Sequence, residues 1–157
     1  MTPPPWYADV VTPALLRHAR NTYGVAMRKA LDDAGFDDVP RNGLYVIGGL
    51  AMGAGDVPLG QLIRELRISR QGAGQLVDML VARGYIDRTL DPDDRRKLNV
   101  ALTERGKAAA HAQGAARRKV DEELMRRVGD EDVAVLRRTL AALVDMGAEH
   151  GDAGDDA

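Results

Sequence analysis

Between Leu59 and Leu102 the apolar repeat of the chain changes its period. Leu59, Leu62, Ile63 and Leu66 recur every three or four residues, and so do Ala73, Leu76, Val77 and Leu80. Further on the spacing shortens to the alternation Leu98, Val100, Leu102. The first spacing lines one face of a helix; the second lines one face of a strand. Only a tight connection, Arg67–Ile68–Ser69, separates the two helical segments, and Ser69 is a suitable N-cap for the second. Gly84 ends that helix. Two strands are predicted, over residues 85–90 and 97–102. Pro92 lies between them and cannot donate to a ladder, so residues 91–96 form an exposed tip. Two short helices, a tight turn and a hairpin make a winged helix-turn-helix.

The flanks are helical. Leu15, Ala19, Tyr23, Ala26 and Ala30 mark a helix from Thr12 to Ala34, stopped by Gly35. A shorter apolar segment, Leu44 to Met52, carries the pair Gly48–Gly49, which permits either a close helix contact or a bend. Thr103 caps a long helix reaching about Val128, and Val133, Leu136, Leu140, Leu143 and Val144 mark a last one. The segment "GAGDVP" reads as a connection. These long helices carry more apolar surface than a small winged domain buries, which points to a homodimer. The fold class is therefore mainly α, with long terminal dimerisation helices and one β-hairpin wing. The expected organisation is an N-terminal arm and dimerisation helix (1–36), a winged lobe (37–106), C-terminal dimerisation helices (107–148) and an acidic, disordered tail (149–157).

The chain has no cysteine, which excludes disulfides, thiolate metal sites and thiol-based redox sensing. With no signal-peptide pattern or membrane-length apolar run, a cytoplasmic location and no membrane partner are expected. His18, His111 and His150 stand in no metal-ligand spacing and beside no candidate nucleophile. No catalytic residue, cofactor or metal is expected.

The net charge is −2, so a nucleic-acid role must rest on local charge. Residues 59–107 hold ten Lys/Arg against seven Asp/Glu, a local +3. A helix starting at Ser69 directs Arg70, Gln71, Gly74, Gln75 and Asp78 away from its apolar face. Gln can pair with adenine and Arg with guanine or phosphate, and Gly74 would let the backbone approach a groove floor. At the tip, Arg95, Arg96 and Lys97 follow three aspartates. Arginines there could reach phosphates or a narrow minor groove, with Asp93 orienting Arg95. The competing reading is a solvated turn whose charges discourage edge pairing.

The stretch "ISRQGAGQLVDMLVARGYIDRTLDPDDRRKLNVALTERG", Ile68 to Gly106, resembles the recognition helix and wing of the MarR family of bacterial winged-helix regulators. The wing pattern Asp-x-Arg ending in Leu-Thr falls at Asp93, Arg95, Leu102 and Thr103. Gly72 and Gly74, in the recognition helix, depart from the family, standing where Ala, Thr or Ser is more usual. The resemblance implies a dimeric repressor on a pseudo-palindromic double-stranded operator. Ser69, Arg70, Gln71, Gly74 and Gln75 would lie in the major groove. Arg95 would enter the minor groove, held by Asp93, with Arg96 and Lys97 beside it. The resemblance also implies a dimer interface on the terminal helices, at Leu15, Leu16, Leu136, Leu140 and Leu143. It further implies a pocket for a small aromatic or lipophilic effector, for which His18, Tyr23, Met27, Tyr45 and Met52 are candidates; core packing is the simpler role for each. A winged helix that docks on a partner protein, without specific DNA readout, is the alternative function.

Overall fold

The computed structural model describes residues 3–53 and 55–151. The element order is α1 (Thr12–Asp33), α2 (Gly43–Met52), β1 (Val57–Pro58), α3 (Leu59–Glu65), α4 (Arg70–Ala82), β2 (Ile86–Leu90), β3 (Leu98–Leu102), α5 (Glu104–Val128) and α6 (Asp130–Gly151). The architecture is mainly helical with one small antiparallel sheet, as the periodicities require. The sheet order is β1–β3–β2, with Val57 opposite Val100 and Ile86 opposite Leu102. Strand β1 lies inside the segment read as a plain connection. It has two residues and contains Pro58, so it gives no alternation to detect, and it sits at the sheet edge where proline is tolerated.

The chain divides into two compact units, Met1–Arg117 and Arg118–Ala157. Residues 107–117, past the expected lobe boundary at 106, therefore belong with the winged lobe. Gly106, Ala109 and Gln113 of α5 are buried there, which explains the shift. Within the second unit, α6 continues to Gly151, so helix replaces the start of the tail expected from 149; residues 152–157 lie outside the described residues. No helix among the described residues is long and apolar enough to cross a membrane.

The core of the first unit joins Leu31 of α1, Leu44, Val46, Ile47 and Leu50 of α2, Leu62 of α3, Leu76, Val77 and Leu80 of α4, and Tyr85, Ile86 and Val100 of the hairpin. Each fully buried Leu, Ile or Val contributes ~1.5–3 kcal/mol. Arg28 of α1 donates to the carbonyls of Val39 at 2.8 Å and Pro40 at 3.1 Å, which fixes the loop leading into α2. Gly48 answers the question raised by the glycine pair. A Cβ there would stand 2.9 Å from Nε2 of Gln113, the buried side chain that donates to the Leu44 carbonyl at 2.7 Å. The pair thus serves a close helix contact through Gly48, while Gly49 faces open space.

Candidate nucleic-acid interface

The helix-turn-helix is α3, a turn, and α4. Arg67 in the turn takes φ 50, a left-handed conformation that costs a residue with a side chain ~1–2 kcal/mol. Ser69 caps α4 as expected, its hydroxyl oxygen accepting from the Gly72 N–H at 3.1 Å. Ala73, Leu76, Val77 and Leu80 are buried, which turns Arg70, Gln71 and Gln75 outward; all three are exposed. Gly74 is half-buried, with nothing within 4 Å of the place a Cβ would occupy. Asp78 shares the outward strip but is not free, since it forms an ion pair with Arg88 of β2.

The hairpin leaves α4 through Gly84, at φ 77, and is anchored at its base. The Tyr85 N–H donates to the Leu80 carbonyl at 2.9 Å, and the Tyr85 carbonyl accepts from the Thr103 N–H at 3.1 Å. The Thr103 hydroxyl donates to the Gly84 carbonyl at 2.5 Å and accepts from the Gly106 N–H at 3.0 Å. One threonine therefore closes the hairpin and caps α5.

Tyr85 also nucleates a polar cluster. Its ring meets Phe36 edge-on at 6.2 Å, its hydroxyl donates to the Asp38 carboxylate, and the Arg105 guanidinium lies 4.7 Å above its ring. Arg105 also donates to Asp38 at 3.1 Å. Burial, followed by the hydrogen bond to Asp38, pushes the phenol up to about 12. The Tyr85 hydroxyl, followed by Arg105, holds the Asp38 carboxyl below its usual value. The raised phenol stabilises the fold fully below pH 10, and that contribution should vanish as pH rises toward 12. The lowered carboxyl stabilises fully above pH 3.8, and its contribution should be lost as pH falls below that value through the depressed folded-state one. Thermal unfolding across pH should therefore fall off at both ends, and Tyr85→Phe should flatten the alkaline descent. An alkaline limb identical in wild type and Tyr85→Phe would count against this assignment.

At the tip, the role of the aspartates differs from the expected one. Asp91 Oδ1 accepts the N–H groups of Asp93 at 2.8 Å and Asp94 at 3.1 Å. These two N–H groups hold the Asp91 carboxyl below its ordinary range. Asp94 accepts from the Arg96 N–H at 3.0 Å and pairs with the Arg96 guanidinium at 3.3 Å. Asp93 and Arg95 are not brought together. Both are exposed, and Arg95 has no hydrogen-bond or ion-pair partner among the described residues. The acids fold the turn, as aspartates that bond the backbone two residues on do, and they leave Arg95 and Lys97 projecting at the surface.

The residues named for a pocket do not line the described cleft together. Met27 is in the core, Tyr23 packs against it, and His18 and Met52 are exposed. Of the five, Tyr45 alone lines a cleft of about 550 Å³, together with Arg20, Leu62, Leu66, Arg67 and Leu76. The Arg20 guanidinium stacks 4.0 Å over the Tyr45 ring. The stripe of α1 was legible, but which polar residues bracket the cleft depends on how α1 meets α2 and α3. Of the residues named for an interface, Leu15, Leu16 and Leu140 are half-buried, and Leu136 and Leu143 are exposed at 43% and 46%.

Comparison with known proteins agrees with this geometry. Residues 37–97 match the sequence model of the MarR family. No curated protein matches the chain by sequence. Among solved structures, FabT of Streptococcus pneumoniae in complex with DNA is similar at TM-score 0.72 and 22% identity, over 87% of this chain and 95% of that one. A point mutant of MepR from a multidrug-resistant S. aureus isolate gives 0.70 and 16%, over 88% and 98%. The reduced form of MarR from E. coli gives 0.66 and 19%, over 85% and 96%. At such identities the likeness is one of fold. Residues 37–97 thus match the sequence model of the MarR family, and the chain shares the fold of these solved structures.

Proposed function

We propose that this chain is a homodimeric, sequence-specific DNA-binding regulator of transcription, a cytoplasmic repressor released by a small aromatic or lipophilic effector. The observation that carries the reading is the pairing of two exposed elements. A Ser69-capped helix presents Arg70, Gln71 and Gln75 on one strip, and a pinned hairpin beside it presents Arg95 with no partner among the described residues. Arg and Gln are the side chains that read purine edges in a major groove, and an unpartnered arginine on a thin hairpin suits a minor groove. FabT, of similar fold, was solved on DNA. Dimerisation is supported by α6, on which Leu136, Leu143 and Val144 remain exposed. A two-fold dimer reads a pseudo-palindrome whose half-sites lie about one helical turn apart. The cleft beside Tyr45 supports effector control. It reaches Ile68 and Leu76, so an occupant there would bear directly on α4.

The test is a mobility-shift titration on random duplex at several salt concentrations, followed by selection of a preferred site from a duplex library. Gln71→Ala and Gln75→Ala should each cost ~1–3 kcal/mol on the selected site and little on random duplex. Equal losses on both would mean that these residues do not read sequence. Failure of the wild type to shift any duplex would favour a protein-docking winged helix.

A further inference from the structure

Gln71, Gln75 and Asp78 follow one another at i, i+4 and i+7 on the outward strip of α4. A carboxylate there would face phosphates, and by itself it opposes binding. Its partner explains its presence. Arg88 of β2 lies opposite Val100 of β3, so both side chains leave the same face of the sheet. Val100 enters the core, and Arg88 runs along the rim of that face to donate to Asp78. Among the described residues this is the only side-chain hydrogen bond or ion pair joining α4 to β2 or β3. The other anchors hold the base, at Tyr85 and Thr103, and the β3 edge, where β1 pairs at Val100 and Asn99 and Asn99 donates to Asp56 at 2.9 Å; on the β2 side, Asp78–Arg88 is the one side-chain tie among the described residues.

We infer that Asp78 and Arg88 form a strut that sets the angle between the wing and α4, so that Arg95 and the Gln71–Gln75 strip meet one duplex together. The inference rests on the DNA-binding reading for its purpose but not for its geometry. Both are positioning residues: each acts through the placement of the wing. The alternative is that Asp78 is a repulsive charge partly neutralised by a neighbour. The two readings give opposite signs for Asp78→Asn. Removing a repulsive carboxylate should tighten binding. Removing a strut should weaken it although the surface becomes more positive.

Because the chain has no cysteine, Gln71→Cys and Asp93→Cys place two spin labels at defined sites, one on α4 and one at the wing tip. Labelled protein diluted with unlabelled chain reports the distance within one protomer, without DNA. The distribution should be narrow in an otherwise unaltered chain, broaden with Asp78→Asn, and narrow again in the charge swap Asp78→Arg with Arg88→Asp. On the selected duplex, unlabelled Asp78→Asn should bind about fivefold more weakly per wing, the upper range for an exposed pair. Its loss should be less than additive with that of Arg95→Ala, since a wing already misplaced has less to lose. The swap should recover part of the affinity. An unchanged distance distribution, or an affinity that holds or rises in Asp78→Asn, overturns the strut. A wild type that binds no duplex defeats the DNA-binding reading instead, and the label distances then decide the strut alone.

Discussion

Gly106→Ala should lower the melting temperature by roughly 10 °C, an effect out of proportion to one methyl group. A Cβ at residue 106 would stand 2.0 Å from the Tyr85 carbonyl oxygen and 3.0 Å from Cδ2 of Leu102. The first contact is with backbone, so no rotamer change relieves it. That carbonyl is already held by the Thr103 N–H, and Tyr85 is fully buried. Either α5 moves away from the hairpin base or the hairpin loses its anchor. Overpacking in a rigid site costs ~1–3 kcal/mol or more, and a lost buried hydrogen bond adds ~1 kcal/mol. At ~2–4 °C per kcal/mol for a chain of this size, the shift follows. Gly106→Val should fail to fold. Melting followed by circular dichroism checks both, and a Gly106→Ala protein melting within a degree or two of wild type would show that this contact is absent.

Arg95→Ala should weaken binding to specific and random duplex alike, by about tenfold per wing and up to about a hundredfold for a dimer engaging both. The salt dependence should fall by up to about one unit of slope per phosphate charge no longer neutralised, so up to about two for a symmetric dimer. Arg95→Lys should restore only part, because an ammonium is more strongly hydrated and enters a narrow groove less readily. The melting temperature should not change, since Arg95 is exposed and unpartnered among the described residues. Asp93→Ala should be mild, its side chain holding neither Arg95 nor the turn. Fluorescence anisotropy across salt concentrations separates these outcomes. A folded Arg95→Ala protein with wild-type affinity and slope would reduce the tip to a solvated turn.

The winged helix was legible because each of its elements leaves a local signal. Ser69 and Thr103 are capping residues at the starts of helices, Leu98, Val100 and Leu102 alternate, and Pro92 interrupts pairing. What could not be read locally depends on distant residues. Strand β1 exists because Val57 finds Val100, forty-three residues away, and two residues carry no period. The cleft depends on Arg20 stacking across to Tyr45. Asp78 resembled a groove-facing residue until β2 placed Arg88 beside it. At the tip, spacing favoured Asp93 as the partner of Arg95, because residues two apart can meet. Backbone N–H groups compete for the same carboxylates, and Asp91 and Asp94 are taken up in building the turn.

The two glycines at the start of α4 bear differently on how this surface can change over generations. A methyl at residue 72 would press at 3.0 Å on the Ser69 hydroxyl that caps the helix, so that position is committed to the cap. At residue 74 the space is empty. Alanine there would even raise helix propensity by up to ~1 kcal/mol. Serine or alanine each lies one nucleotide change from a glycine codon with a suitable third base. The recognition surface therefore holds a vacant position in the middle of its reading strip, where a new side chain can be acquired without cost to the fold. In a lineage carrying this chain, Gly74 is where a new binding site could be learned before the old one is lost.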